Sequence, residues 1–114
     1  MNGATPAPWV DAAGIDEVPE GGVKGVEIRG NFVALYRLDG KVFATSDTCT
    51  HESARLSDGW IENGEIECPL HGARFKIENG ECLGPYGGNL RCFPARVRQE
   101  RIEIALPPEG DDPC

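Results

Sequence analysis

Histidine is scarce in this sequence, with two among 114 residues beside five cysteines. A mechanism that needs three imidazoles, or two sites that each use histidine, is excluded. No stretch approaches the roughly 18 apolar residues of a membrane span. The start, Met1-Asn2-Gly3-Ala4, does not have the charged-then-apolar order of an export signal. The expected compartment is therefore the cytoplasm, where cysteines serve as metal ligands or bystanders more than as disulfides. Basic residues are outnumbered, 11 against 19 acidic, for a formal charge of −8. Such a chain is a poor polyanion binder, so neither nucleic acid nor an anionic membrane is an expected partner. No helical period extends beyond one turn, Ile15-Asp16-Glu17-Val18 before Pro19. No Gly-x-Gly-x-x-Gly fingerprint of a dinucleotide site follows any strand.

Turns and short alternating segments are what the sequence does contain. Val23 to Ile28 and Phe32 to Leu38 flank Gly30-Asn31, and Asp39-Gly40 separates the latter from Lys41 to Thr45. Asn63-Gly64 and Asn79-Gly80 repeat the signal. These dipeptides suit the positive φ angles of tight hairpins. Phe93 to Val97 and Arg101 to Leu106 alternate apolar and polar residues, as half-buried strands do. The expected class is all-β, in one domain over 1–114 able to bury roughly 65% of its unfolded surface. Residues 1–8 and 107–114 are read as flexible tails.

Both histidines lie in short pairs with cysteine: Cys49-x-His51, sixteen residues, then Cys68-x-x-His71. Four soft-to-borderline ligands suit zinc or iron–sulfur chemistry and not a calcium or magnesium site. The hairpin at Asn63-Gly64 can fold the connection back and bring the second pair beside the first. On the residues alone, three arrangements stay open: a coincidence of buried cysteines and surface histidines, a structural zinc site, and a two-iron cluster. Zinc loops usually separate paired ligands by two to four residues, so the single residue between Cys49 and His51 makes chelation of one ion awkward. Two irons remove that difficulty.

Cys49-Thr50-His51 followed by Cys68-Pro69-Leu70-His71-Gly72 resembles the paired ligand boxes of Rieske [2Fe–2S] proteins. The strand start Gly72-Ala73-Arg74-Phe75 and the Gly84-Pro85 loop extend the resemblance, which covers residues 9 to 106. It implies antiparallel sheets in a β-sandwich-like base domain, with a small cluster-binding subdomain at about 45–90 inserted in it. It also implies one [2Fe–2S] cluster, with Cys49 and Cys68 on one iron and His51 and His71 on the other. High-potential members resemble one another in an extra cysteine in each box and in hydroxyls after the second; here those positions hold Ala54, Leu70, Ala73 and Phe75. Fewer donors to the cluster imply a potential at the low end of the Rieske range.

An oxygenase of this kind also needs a mononuclear iron, typically held by two histidines and a carboxylate. Both histidines are already committed, so the expected role is that of a carrier and not of an enzyme. The short form without a disulfide resembles the Rieske ferredoxins of bacterial aromatic-ring dioxygenase systems. That resemblance implies a flavoprotein reductase and a terminal oxygenase as partners, and a monomer. A small subunit of a nitrite reductase and a zinc-stabilised interaction module are the alternatives. Cys82 and Cys92 are expected as small buried side chains, and Cys114 as an exposed tail thiol. Trp60 is expected to pack in the core or hairpin. Glu52, Asp58, Glu62, Glu65 and Glu67, with only Arg55 opposing them, form either a solvated acidic face or a docking surface.

Overall fold

The computed structural model describes residues 9–49, 54–69, 72–84 and 88–106. Eleven strands and two short 3-10 turns account for the regular structure of these residues. The strands form three antiparallel sheets. A basal sheet has the order β1 (Trp9–Gly14), β11 (Arg101–Ala105), β10 (Ala95–Arg98). A central sheet has the order β2 (Gly22–Ile28), β3 (Asn31–Leu38), β4 (Lys41–Ser46), β9 (Cys92–Phe93). An apical sheet follows the chain, β5 (Trp60–Glu62), β6 (Glu65–Glu67), β7 (Arg74–Lys76), β8 (Cys82–Gly84). The all-β expectation holds, and the one candidate helical turn is a 3-10 turn at Ile15–Glu17.

Strand β3 explains how two cores coexist. Alternate side chains of a strand point to opposite faces, yet Val33, Ala34, Leu35 and Tyr36 are all fully buried. Val33 and Leu35 join a basal cluster with Ala13, Val18, Ile102 and Ile104. Ala34 and Tyr36 join an apical cluster with Leu56, Ile66, Phe75 and Ile77. The central sheet is therefore covered on both faces, and an apolar run replaces the alternation expected of a half-exposed strand.

Turn chemistry sets the registers. Asp39-Gly40 and Asn63-Gly64 both lie in the left-handed region, at φ of 53° and 77° and of 55° and 75°. Two-residue turns of this kind match the twist of hairpin strands. The first hairpin turns one residue earlier than expected: Arg29-Gly30 carries the positive φ angles and Asn31 pairs with Ile28. The Asn31 side-chain amide donates to the carbonyl oxygens of Ile28 and Arg29. At Asn79-Gly80 only Gly80 has a positive φ, and the connection is longer, closed by Lys76 N–H donating to the Glu81 carbonyl at 2.9 Å. Strand β1 carries no turn signal and was not anticipated; its partner β11 orders it. The turn from β10 to β11 is Gln99-Glu100, both in the left-handed region and neither a glycine.

Candidate metal centre

Two loops of equal length carry the cysteines, the first leading from the central sheet toward the apical one and the second joining β6 to β7 within the apical sheet. Cys49 ends the segment after β4, and its backbone N–H donates to the Ala54 carbonyl at 2.9 Å. Cys68 follows β6, and its N–H donates to the Ala73 carbonyl at 2.7 Å. Each loop is thus pinched between a cysteine and the alanine five residues on. In the first, the bridge between Thr48 and Arg55 continues the closure. In the second, Gly72 sits at a φ of 69°, a conformation that costs a side-chain-bearing residue about 1 kcal/mol or more.

Both thiols are buried, at 4% exposure for Cys49 and 0% for Cys68. They belong to the same apical cluster, with Ala73 and Phe75 of the second loop and strand. The structure therefore brings together the two cysteines that the sequence singled out. His51 and His71 lie outside the described residues, as do Glu52, Leu70, Pro85 and Cys114.

The loops are tied to each other through backbone. The 3-10 turn Leu56–Asp58 leads out of the first loop into Gly59 and β5. A side-chain carbon on Gly59 would overlap the Glu67 carbonyl, one residue before Cys68. Only glycine permits this approach, so the exit of the first loop is held against the start of the second. Phe75, fully buried, and Ala73 offer no hydroxyl on this side of the second loop.

Beneath the loops lies a polar layer that the sequence reading missed. The Tyr36 hydroxyl and Thr45 Oγ1 are 2.8 Å apart, both side chains buried. Burial pushes the phenol well above its ordinary range, with the Thr45 hydrogen bond acting in the opposite direction. Tyr36 is thus a neutral, fixed dipole. Asp47 accepts from the Ser57 backbone N–H and hydroxyl at 2.6 and 2.7 Å. Neither pair has a sequence signature, because both are assembled across strands and loops.

Several surface expectations change. Trp60 is 60% exposed on the outer face of the apical sheet and does not pack in the core. Asp58 and Glu62 are exposed, but Glu65 is half-buried and paired with Arg74 at 3.2 Å. The Arg55 guanidinium lies over Phe32, 3.9 Å from the ring centre, and 4.0 Å from the Asp47 carboxylate. Cys82 is half-buried against the apical cluster. Cys92 is buried but disulfide-bonded, unlike the bystander thiol expected of it.

Two thiolates and two imidazoles form the donor set of a Rieske centre, and the described half of that set is buried in one apolar cluster and framed by matched loop closures. The residues fit the group. The Rieske [2Fe–2S] domain profile matches residues 8–94, and the chain belongs to this family. Its members bind one [2Fe–2S] cluster through two cysteines and two histidines. The chain is an electron carrier of the ferredoxin type, an electron-transfer component and not an oxygenase. It is 43% identical over 99 residues to the ferredoxin component of the naphthalene 1,2-dioxygenase system of Pseudomonas aeruginosa, covering 86% of this chain and 95% of that one. The fold is similar to the ferredoxin of Sphingomonas yanoikuyae B1, with a TM-score of 0.82, 29% identity, and coverage of 88% and 100%. It is equally similar to an oxidized ferredoxin solved with the reduced oxygenase of carbazole 1,9a-dioxygenase, with a TM-score of 0.81, 30% identity, and coverage of 90% and 97%. No helix among the described residues is long and apolar enough to cross a membrane.

Proposed function

We propose that Cys49 and Cys68 ligate one iron and His51 and His71 the other, within a cluster-binding segment at about 45–90. The matched closure of the two loops, cysteine N–H to the carbonyl five residues on, is the observation that carries this assignment. It puts both thiols at equivalent loop positions and leaves both histidines within the loops they start. Bound there, the cluster supplies a one-electron couple. The chain's part is to hold the thiols away from water, to fix the loops through Gly59 and Gly72, and to carry the electron singly between larger proteins.

The carrier serves, on this reading, an aromatic-ring dioxygenase system as a monomer in the cytoplasm. It takes electrons from a flavoprotein reductase that draws on a nicotinamide and delivers them to a terminal oxygenase. The relative solved with its oxygenase supports an oxygenase as acceptor. The naphthalene-system relative favours this role over that of a nitrite reductase small subunit. The absence of hydroxyls at Ala73 and Phe75 favours a midpoint potential near the lower end of about −150 to +300 mV.

Reconstitution tests the role. The holoprotein, mixed with such a reductase and oxygenase, is expected to support nicotinamide-dependent product formation and to elute alone as a monomer. A protein that co-elutes in fixed ratio with a nitrite reductase and supports no oxygenase turnover contradicts it.

A further inference from the structure

Asp47 is out of place in the interior of this protein. Thr45 and Asp47 are the buried polar residues among the described ones, and the Asp47 side chain is fully buried. Removing a carboxylate from water costs several kcal/mol unless it is paired and hydrogen-bonded. Here both carboxylate oxygens accept a hydrogen bond. Oδ1 accepts the Ser57 N–H at 2.6 Å and Oδ2 accepts the Ser57 hydroxyl at 2.7 Å. Arg55 Nη1 stands 4.0 Å from Oδ2. The Asp47 N–H donates to the Phe32 carbonyl at 2.9 Å, and its own carbonyl accepts from Leu56 N–H at 2.8 Å. On β2, Gly25 makes the room: a side-chain carbon there would come within 2.6 Å of both Asp47 Oδ2 and Ser57 Oγ.

These bonds join the two ends of the segment that carries Cys49. Asp47 precedes the cysteine by two residues, and Leu56 and Ser57 follow the loop closure at Ala54 and Arg55. Stability alone does not explain a charge here, because an apolar group of similar volume in such a site is often as stable or more so. A fixed negative charge in a water-poor interior has a second effect: it opposes the arrival of an electron nearby.

We propose that Asp47 is a positioning residue for the first ligand loop and that its buried carboxylate holds down the reduction potential of the centre. The inference rests on Cys49 being a cluster ligand. Arg55 offsets the charge only in part, since its side chain is 47% exposed and screened by water.

The test is a redox titration of the purified holoprotein, with iron and sulfide measured on each sample. Asp47→Asn keeps the shape of the side chain and removes its charge. It is expected to retain the cluster and to raise the midpoint by about 59 mV, a tenfold change in the one-electron equilibrium. A loaded variant with an unchanged midpoint overturns the proposal. If Asp47→Asn does not load, Arg55→Gln decides, because it leaves the carboxylate and its Ser57 bonds in place. It is expected to lower the midpoint, while Arg98→Gln on the basal sheet, an equal loss of charge, leaves it in place. Equal shifts in the two overturn the proposal. Wild-type protein that binds no iron or sulfide overturns the ligand assignment itself, and this inference with it, before any variant is compared.

Discussion

The basal and apical cores share strand β3 but are built on different terms. The basal core is aliphatic and aromatic throughout, from Val33 and Leu35 to Ile102, Ile104 and Phe93. Its strands run four to eight residues apart from the two-residue β9, and its ladders are regular except for a bulge between Asp11 and Ala13. The apical core lines its space with two thiols, and a buried phenol stands beneath them. Its strands have three residues each, and loop hydrogen bonds supply much of its order. Burial and long ladders make the base a scaffold that needs nothing else. The top depends on close backbone approaches and on its own polar groups, as expected where a site must hold reactive side chains in a fixed arrangement.

The comparison can be broken from either side. Leu35→Ala, in the basal core, is expected to cost about 2–5 kcal/mol of global stability, read as a lower denaturation midpoint with the denaturant slope unchanged. Gly59→Ala forces the Glu67 carbonyl away and should cost about 1–3 kcal/mol, the cost of overpacking a close contact. Its effect is local: hydrogen exchange should quicken in β5 and β6 and iron retention should fall, while β3 and β11 amides stay slow. An equal loss of protection in both regions would show that the two cores are one cooperative unit.

Smaller effects test the base alone. Glu100→Gly relieves a left-handed residue at a φ of 65° in the basal hairpin and is expected to stabilise the protein by about 1 kcal/mol, with cluster properties unchanged. The smallest effect is that of the Asp11–Arg101 pair, at 2.6 and 2.8 Å across β1 and β11. The Arg101 hydrogen bond holds the Asp11 carboxyl below its ordinary 3.8. A depressed carboxyl contributes stability above its unfolded value and loses it as pH falls through the folded one. Asp11→Asn should therefore flatten the stability profile slightly below pH 3.8 and leave it unchanged in high salt, since the pair is exposed.

Sequence patterning made most of the scaffold readable. Asp39-Gly40 and Asn63-Gly64 announce their hairpins because their residue types match the φ angles required. The turn at Gln99-Glu100 carries no such signal, and only the alternation of its flanking strands marks it. Trp9–Gly14 was silent because its order comes from β11, almost the whole chain away. In the site, Cys49 and Cys68 stood out through their spacing with the only two histidines. Asp47, Ser57 and Tyr36 did not, because nothing local distinguishes an aspartate in a buried network from one on the surface.

The paired loops as ligands of one [2Fe–2S] cluster form the central claim. Iron and acid-labile sulfide analysis, combined with an electron paramagnetic resonance spectrum after dithionite reduction, tests it most directly. The expected result is about two irons and two sulfides per chain with a rhombic signal of mixed histidine and cysteine ligation, lost in His71→Ala and kept in Cys82→Ser. One zinc per chain, no sulfide and a silent spectrum would contradict it.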